Sequence, residues 1–224
     1  MVTHLQHLPQ NRVGLFLEEL GIFIIFRIDY KQRNWFNESL IMLNDKSILI
    51  TGGTGSFGQK FVKTVLQRYR PRRLIVYSRD EWKQSEMQAD PDFKHEALRF
   101  FLGDVRDQER LFLAMRGVDY VIHAAALKQV GSCEKDPFEA VQTNIMGSYQ
   151  ACLAARQAGV KTFVAISTDK TVKPVNAMGT SKAMMEKMVC SQNQKNCQTV
   201  FCCVRYGNVM ESLQDAMGDP ESFH

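Results

Sequence analysis

Six short apolar runs, separated by amphipathic segments, are the feature that most narrows what this chain can fold into. Each run is almost continuously apolar, which indicates strands covered on both faces. Strands that alternate with helices in this way predict an α/β fold with a doubly wound parallel sheet. A long helix is predicted over much of residues 137–158. The predicted strands are Ser47–Thr51, Arg73–Ser78, Leu98–Leu102, Tyr120–His123, 161–167 and 200–205.

The composition is that of an ordinary globular protein and excludes fibrous or natively unfolded classes. Of 224 residues, 45% are hydrophobic and 23% are charged. The net charge of +4 comes from basic residues scattered among acids, so nucleic acid is not an expected partner. No membrane span is expected either, because Glu18, Glu19 and Arg27 interrupt the most apolar stretch near the start.

The cysteines and histidines predict neither a metal site nor a disulfide framework. The six cysteines contain no C-x-x-C pair, and the five histidines do not cluster with them. We expect reduced, mostly buried cysteines in a cytoplasmic protein.

A glycine-rich turn follows the first predicted strand. Gly52, Gly55 and Gly58 stand between that strand and a predicted helix, with Ser56 and Phe57 inside the loop. A pyrophosphate needs close backbone approach and gains from the amide groups at a helix N-terminus. The turn therefore predicts a Rossmann-like domain that binds NAD or NADP.

The ends of the second and third strands bear on the choice of cofactor. Ser78, Arg79 and Lys83 supply donors for a 2′-phosphate and favour NADP, whereas Asp80 keeps NAD open as the alternative. Asp104 is expected to accept a hydrogen bond from the adenine amino group. The alternative is that Asp104, or Asp107 in the same turn, caps the next helix.

The fifth predicted strand ends in Ser167-Thr168-Asp169-Lys170, and Lys182 follows twelve residues later. With the glycine loop, these residues resemble the extended short-chain dehydrogenase/reductases, and within them the inverting UDP-N-acetylglucosamine 4,6-dehydratases of bacterial surface and capsular polysaccharide biosynthesis. The resemblance covers about residues 42–210. Its motifs are the loop from Gly52, SRDE at 78–81, GDVRD at 103–107, HAAALKQ at 123–129, TNI at 143–145, STDK at 167–170, NAMGTSK at 176–182 and RYGNV at 205–209.

The resemblance implies a lyase reaction that consumes no net reductant. Hydride leaves C4 of the sugar, the resulting ketone acidifies C5–H, the C6 hydroxyl is expelled, and hydride returns to C6. Reprotonation of C5 on the other face would give inversion, which the sequence leaves open. The implied partner is a UDP-sugar, and the intact family implies a homo-oligomer.

The same resemblance implies the catalytic roles. Asp169 is the acid and Lys170 the base, so both must be kept uncharged by dry surroundings; otherwise they form only a surface salt bridge. Lys182 positions the nicotinamide ribose or is a solvated helix charge, and Thr168 binds the C4 oxygen or caps a turn.

Further contacts are carried over from the resemblance by motif position. Lys128 is expected to contact cofactor or substrate, with a solvent-facing side chain as the alternative. The expected cofactor contacts are Gly52, Gly55, Ser56, Phe57, Gly58, Ser78, Arg79, Lys83, Asp104, Val105, Ala124, Ala125, Lys128 and Lys182. The expected substrate contacts are Lys128, Met178 and Asn208.

Two departures from the family pattern qualify these expectations. Position 178 is Met where the superfamily has Tyr, and a thioether has no titratable proton, so the C4 proton passes to Lys170 or, through water, to Lys182. We expect residues 1–41 to be an extension of uncertain order, 42–210 the dinucleotide-binding domain with the catalytic motifs, and 211–224 an acidic tail in place of the largely absent substrate domain. That truncation predicts weak activity and leaves a non-catalytic NADP-binding remnant, or a UDP-sugar 4-epimerase, as alternatives.

Overall fold

A computed structural model describes residues 13–17, 22–26, 43–193 and 197–207, the first two ranges as strand backbone. Within these ranges the strands form one sheet in the order β1-β2-β8-β7-β6-β3-β4-β5. The strands are β1 (Val13–Leu17), β2 (Ile22–Phe26), β3 (Ser47–Thr51), β4 (Arg73–Ser78), β5 (Leu98–Leu102), β6 (Tyr120–His123), β7 (Thr162–Thr168) and β8 (Val200–Tyr206).

The six strands from β3 to β8 are parallel and lie within a residue of their predicted bounds. Their order confirms the doubly wound sheet, because the chain runs outward from β3 in one direction and then returns to start again at β6. This reversal leaves a crevice between the carboxyl ends of β3 and β6.

Two strands precede the first one that the sequence predicts. β1 pairs antiparallel with β2, and β2 pairs antiparallel with β8 through Ile25 and Arg205. An antiparallel pair needs no helix between its strands, so it lacks the alternation from which the other strands were predicted. The sheet is therefore parallel with an antiparallel pair at one edge.

Seven α-helices connect the described strands. The long helix predicted over residues 137–158 is confirmed, because α5, a π-helical segment at Val141–Gly147 and α6 follow one another without a break. A 3₁₀ turn at Asp169–Thr171 follows β7. The α-helices are α1 (Ser56–Arg68), α2 (Glu81–Ala89), α3 (Gln108–Met115), α4 (Val130–Lys135), α5 (Pro137–Ala140), α6 (Ser148–Gln157) and α7 (Ala177–Ser191).

The core lies on both faces of the sheet because successive strand residues point to opposite sides. Leu49 faces one side, where it joins a cluster with residues of α3, α6 and α7. Ile48 and Ile50 face the other side and cluster with α1 and α2. All five residues of β3 are buried, which explains the unbroken apolar run in the sequence.

Three general features of the described residues bear on function. No helix there is long and apolar enough to cross a membrane. The six cysteines form no disulfide in the described residues, and Cys133, Cys152, Cys202 and Cys203 are buried. The same part of the chain contains no group of three or more His, Cys, Asp or Glu that could hold a metal ion.

Candidate active site

The turn after β3 and the segment after β6 meet at the crevice. Gly52 has φ +67°, and a β-carbon there would lie 2.8 Å from the backbone of Ala125. The Ala124 N–H donates to the Thr51 carbonyl across 3.1 Å. Only glycine combines this positive φ with so close an approach. Gly52, Ala124 and Ala125, expected at the cofactor, are thus brought together.

The start of α1 is built to accept an anion. A β-carbon on Gly58 would lie 2.5 Å from backbone atoms of Gly53, so the helix begins pressed against the loop. Gly55 is the N-cap without a side-chain hydrogen bond, and the first turn has no acidic residue. Its amide groups are therefore free of a capping side chain, which fits the pyrophosphate of a dinucleotide.

We expect Gly58→Ala to destabilise this loop by about 1–3 kcal/mol, because the added methyl group meets backbone that has no room for it. The melting temperature should fall, and NADP should raise it less than in the unmutated protein. Gly131→Ala is the control, since no atom lies within 4 Å of a β-carbon there. A Gly58→Ala protein that melts and responds to NADP normally would contradict this packing.

Ser78, at the tip of β4, ties the glycine loop to that strand. Its buried hydroxyl lies 2.9 Å from the Thr54 hydroxyl and accepts the Asp80 N–H across 3.2 Å. The Gln84 side chain donates to the Ser78 carbonyl across 2.9 Å. The sequence predicted a cofactor contact for Ser78, and the structure gives its hydroxyl a bracing role as well.

Two residues expected near the adenosine lie side by side. The Arg79 guanidinium is 3.6 Å from an Asp104 carboxylate oxygen, and Lys83 lies 3.6 Å from Asp80. Asp80 also caps α2 by accepting the Lys83 N–H. Its carboxylate is therefore engaged by backbone and side chain, and Arg79, although paired with Asp104, keeps an exposed side chain at the end of β4.

The helix-capping alternative for the turn after β5 holds for Asp107 and not for Asp104, whose contact with adenine stays a prediction. Asp107 caps α3 by accepting the Arg110 N–H, so helix capping does not fall to Asp104. Asp104 instead binds Arg106 through its backbone and guanidinium. Burial would raise the pKa of Asp104, but these hydrogen bonds hold it below its ordinary value. Val105 is buried against the π-helical segment at Gly147.

A buried histidine that the sequence analysis quoted without a role links the loops beneath the crevice. The Ala125 N–H donates to the Thr51 hydroxyl, which lies 2.9 Å from His123 Nδ1. His123 Nε2 lies 2.9 Å from the Ser148 hydroxyl, which donates to the Asn144 carbonyl. This direction requires the proton on Nε2. Burial lowers the His123 pKa to about 3, so the ring stays neutral.

Asn144, in the π-helical segment, holds the loop that carries Lys128. Its side chain accepts the Leu127 N–H across 2.8 Å and donates to the Leu127 carbonyl across 3.0 Å. It also donates to the Ser181 hydroxyl, which joins it to α7. Lys128 itself is exposed beside this clamp. The TNI motif was a signal for this residue, but only tertiary contacts reveal what it holds.

The residue in place of the superfamily tyrosine is buried. Met178 is 5% exposed and packs in a small apolar cluster with Cys133 and Ala140. Among the described residues its surroundings are apolar packing, and its contact with the substrate stays a prediction. Asn208, the other expected substrate contact, lies outside the described residues.

Thr168, Asp169 and Lys170 form the turn at the carboxyl end of β7. The Thr168 hydroxyl donates to Asp169 Oδ1 across 3.0 Å and accepts the Lys170 N–H across 3.3 Å. Thr168 thus performs the turn-capping role. Asp169 and Lys170 are exposed, so the described protein atoms do not supply the dry surroundings that their expected roles require.

An ion pair between α7 and β8 supports the turn at Asp169–Thr171, which the sequence predicts to be catalytic. Glu186 on α7 accepts from Arg205 on β8 through both carboxylate oxygens, and Thr171 Oγ1 lies 3.0 Å from Glu186 Oε1. Burial alone would raise the Glu186 pKa, but the Arg205 hydrogen bonds hold it below its ordinary value. Neither Glu186 nor Arg205 had a role predicted from the sequence.

Lys182 is buried one turn into α7 from Met178. Its ammonium donates to the Ile166 carbonyl on β7 across 2.8 Å. Burial lowers the Lys182 pKa to about 8, against the opposing effects of Cys203 and Glu186. The alternative of a solvated helix charge is therefore wrong for this residue.

The turn that carries Asp169 and Lys170 lies close to the glycine loop. Phe57, at the start of α1, stacks on Tyr206 at the end of β8 with ring centroids 5.9 Å apart. A β-carbon on the next residue, Gly207, would lie 3.6 Å from Asp169 Oδ2. Phe57, Tyr206 and Gly207 therefore connect the expected pyrophosphate site to the expected acid.

A parallel sheet whose strand order reverses beside a glycine-lined turn defines the Rossmann-type dinucleotide-binding proteins. Within that class, this chain belongs to the polysaccharide biosynthesis protein family, which it matches over residues 48–214.

Curated relatives carry two different names. A UDP-N-acetylglucosamine 4,6-dehydratase (inverting) from Campylobacter jejuni strain 81-176 is 49% identical over 173 residues, which are 76% of this chain and 51% of the relative. A UDP-glucose 4-epimerase from Rickettsia bellii strain RML369-C is 47% identical over 180 residues, with the same coverage of both chains. The chain thus spans about half the length of the curated relatives it matches.

Solved structures agree with the fold. Pen from Bacillus thuringiensis has a TM-score of 0.74 and 36% identity, covering 80% of this chain and 58% of that one. The dTDP-glucose 4,6-dehydratase DesIV from Streptomyces venezuelae, solved with NAD and TYD bound, has a TM-score of 0.60 and 26% identity, covering 66% and 52%. The chain therefore shares its fold with a solved dTDP-glucose 4,6-dehydratase.

Proposed function

We propose that this chain is the NADP-binding and catalytic part of a 4,6-dehydratase acting on UDP-N-acetylglucosamine in bacterial surface polysaccharide biosynthesis. The single observation that carries the proposal is the position of Asp169 beside Gly207, which lies next to the Tyr206 ring stacked on Phe57 of the glycine loop. The residue expected to act as the acid thus borders the site expected for the dinucleotide. The similarity to the Campylobacter dehydratase supports the same reaction.

In the proposed reaction, the dinucleotide, Asp169 and Lys170 each have one role. When bound, the dinucleotide supplies an acceptor for the C4 hydride and a donor for C6. Asp169 gives a proton to the departing C6 oxygen, and Lys170 removes the C5 proton. Because the fold leaves both side chains exposed, the water-excluding contacts must come from substrate, cofactor and parts of the protein outside the described residues.

Product mass tests the proposed reaction directly. The full chain is incubated with NADP and UDP-N-acetylglucosamine, and we expect a product lighter than the substrate by one water. The Campylobacter relative serves as the positive control. Unchanged sugar in the sample, with product from the control, would contradict dehydratase activity for this chain.

The 4-epimerase is the second candidate because the Rickettsia relatives bear that name. Epimerisation needs the C4 hydride transfer but no elimination, so the product would keep the mass of the substrate. Met178 weighs against it, because a buried thioether cannot move the C4 proton as a tyrosine would. A product of equal mass and different chromatographic retention would favour the epimerase.

A non-catalytic NADP-binding remnant is the third candidate. The chain spans about half of its relatives' length, and the catalytic pair is exposed in the described structure. Binding energy remote from the reacting centre normally helps to orient substrate and exclude water. A melting temperature raised by NADP, with no further rise from the sugar nucleotide, would favour this candidate.

The choice of NADP over NAD is also part of the proposal. Arg79 is exposed at the end of β4, whereas Asp80 is engaged by Lys83 and the α2 backbone. We expect Arg79→Gln to weaken the binding of NADP about tenfold and to change the binding of NAD by less than about twofold. The reason is that only NADP carries the 2′-phosphate to which Arg79 would donate. Isothermal titration of both cofactors measures this, with Arg99→Gln as the charge-matched control. Equal weakening of both cofactors would contradict a 2′-phosphate contact.

A cytoplasmic location and a homo-oligomeric state complete the proposal. The location rests on the reduced, mostly buried cysteines that the sequence predicts, and the oligomeric state rests on the family resemblance. Sedimentation velocity on the full chain would test the oligomeric state directly.

A further inference from the structure

The edge of the sheet opposite the crevice carries a concentration of positive charge. The amino ends of β3, β4, β6 and β7 meet there, joined by backbone hydrogen bonds such as Arg72 N–H to the Lys46 carbonyl and Lys161 N–H to the Asp119 carbonyl. Segments 43–47, 68–73 and 116–119, together with Lys161, hold seven Lys or Arg residues against two Asp. This edge is therefore locally positive, although the basic residues are scattered among acidic ones along the sequence.

A shallow hollow of about 360 Å³ lies within this basic edge. It is lined by Ser47, Arg72, Arg73, Arg116 and Gly117. Arg73 donates from one guanidinium nitrogen to the Arg116 carbonyl across 2.8 Å, which holds the two segments together. The Arg73 Nε is buried and has no hydrogen-bond partner among the described residues. Buried N–H donors normally have a hydrogen-bond partner, and within the described residues the Arg73 Nε lacks one.

The acids near the hollow do not neutralise its arginines. Asp119 accepts the Ser47 N–H and forms a 2.9 Å ion pair with Lys161, while its contact with Arg72 is longer, at 3.5 Å. The Arg72 side chain remains 63% exposed. Asp45, the other acid, lies on the exposed turn before β3. Arg72 Nε also donates to the Ser47 hydroxyl across 3.2 Å, so the exposed part of the Arg72 guanidinium and the exposed Arg116 are the groups that an anion from solution can reach first.

We propose that this hollow, lined by Arg72, Arg73 and Arg116, binds the phosphate group of a small anion such as a pyrophosphate or phosphate monoester. Planar guanidinium groups donate paired hydrogen bonds that match phosphate oxygens, and three of them line one concavity. The five-residue strand β3 separates the hollow from the glycine loop by about 17 Å, so it is a second anion site, distinct from the dinucleotide crevice.

The matched pair of Arg116→Gln and Arg70→Gln tests this site. Both remove one positive charge from an exposed residue of the same edge, but only Arg116 lines the hollow. Inorganic pyrophosphate is titrated into the full chain at low ionic strength, while amide NMR shifts report where it binds. We expect Gly117 to shift, Arg116→Gln to weaken that site about tenfold, and Arg70→Gln to change it less than about twofold.

Three results would overturn the proposal. Equal weakening by both variants would mean diffuse attraction to a charged surface, which salt screens alike for either residue. Shifts confined to the amides of residues 52–58 would mean that pyrophosphate binds only at the glycine loop. Vesicles containing phosphatidylglycerol test whether the phosphate group belongs to a membrane surface instead of a small anion. Vesicle binding that both variants weaken equally would mean a flat membrane contact, and it would also overturn a specific hollow. Melting temperatures confirm that both variants fold.

Discussion

Asp169→Asn in the full chain is expected to lower the rate of dehydration by about 10²–10⁴, because an amide cannot give a proton to the departing C6 oxygen. Lys170→Met should lower it by a similar factor, since C5–H then loses its base. The affinity for NADP should stay within about twofold in both variants, because neither side chain belongs to the expected pyrophosphate or ribose contacts. Mass spectrometry measures the rate, and isothermal titration measures the affinity.

Lys173→Met is the matched control for this pair. Lys173 is exposed in the loop that follows the catalytic turn, so its replacement removes the same charge close to the same place. We expect its turnover to remain near that of the unmutated chain. A Lys173→Met protein as impaired as Lys170→Met would show that local charge, and not proton transfer, supports the reaction. Full activity in Asp169→Asn would remove the acid from the mechanism.

Arg205→Met is expected to lower the free energy of unfolding by about 2 kcal/mol, since it leaves the Glu186 carboxylate without its cation. Glu186 is 9% exposed, so an unpaired carboxylate at this position costs stability. The Arg205 side chain is 36% exposed, so solvent screening already weakens the ion pair and limits that cost. The double variant Glu186→Gln, Arg205→Met should recover part of the loss. Urea denaturation of the two single variants and the double variant measures the coupling energy.

The same ion pair predicts how stability depends on pH. The folded pKa of Glu186 lies below its ordinary value of 4.5, so its stabilising contribution is complete above that pH. The contribution is lost as the pH falls through the folded pKa. We therefore expect Glu186→Gln to lose less stability than the unmutated protein as the pH falls below about 4.5. Parallel acid denaturation curves for the two proteins would contradict this prediction.

Arg205→Met should also affect the proposed reaction. Thr171 contacts Glu186 from within the turn that carries Asp169 and Lys170, so loss of the ion pair loosens the turn. Turnover should fall while NADP affinity changes little. An Arg205→Met protein that is destabilised but fully active would show that the brace is structural only.

The local signals in the sequence were sufficient for the parallel part of the fold. Strand bounds and the glycine turn depend on residues close in sequence, and continuous apolar runs report burial on both faces whatever the strand order. The β1 and β2 pair was missed because antiparallel neighbours lack the strand–helix alternation. The sequence also left the cap of α3 open between Asp104 and Asp107, and the structure gives that cap to Asp107 and pairs Asp104 with Arg106.

The sequence by itself determined the α/β alternation, the glycine turn and the family motifs, because each of these depends only on residues that are close together in the sequence. The tertiary structure alone decided which distant groups meet. Thr51 and His123 are 72 positions apart, and Glu186 finds Arg205 only once α7 packs on β8. It also decided that Lys182 is buried while Asp169 and Lys170 are exposed, since burial depends on the order in which strands and helices assemble around a residue.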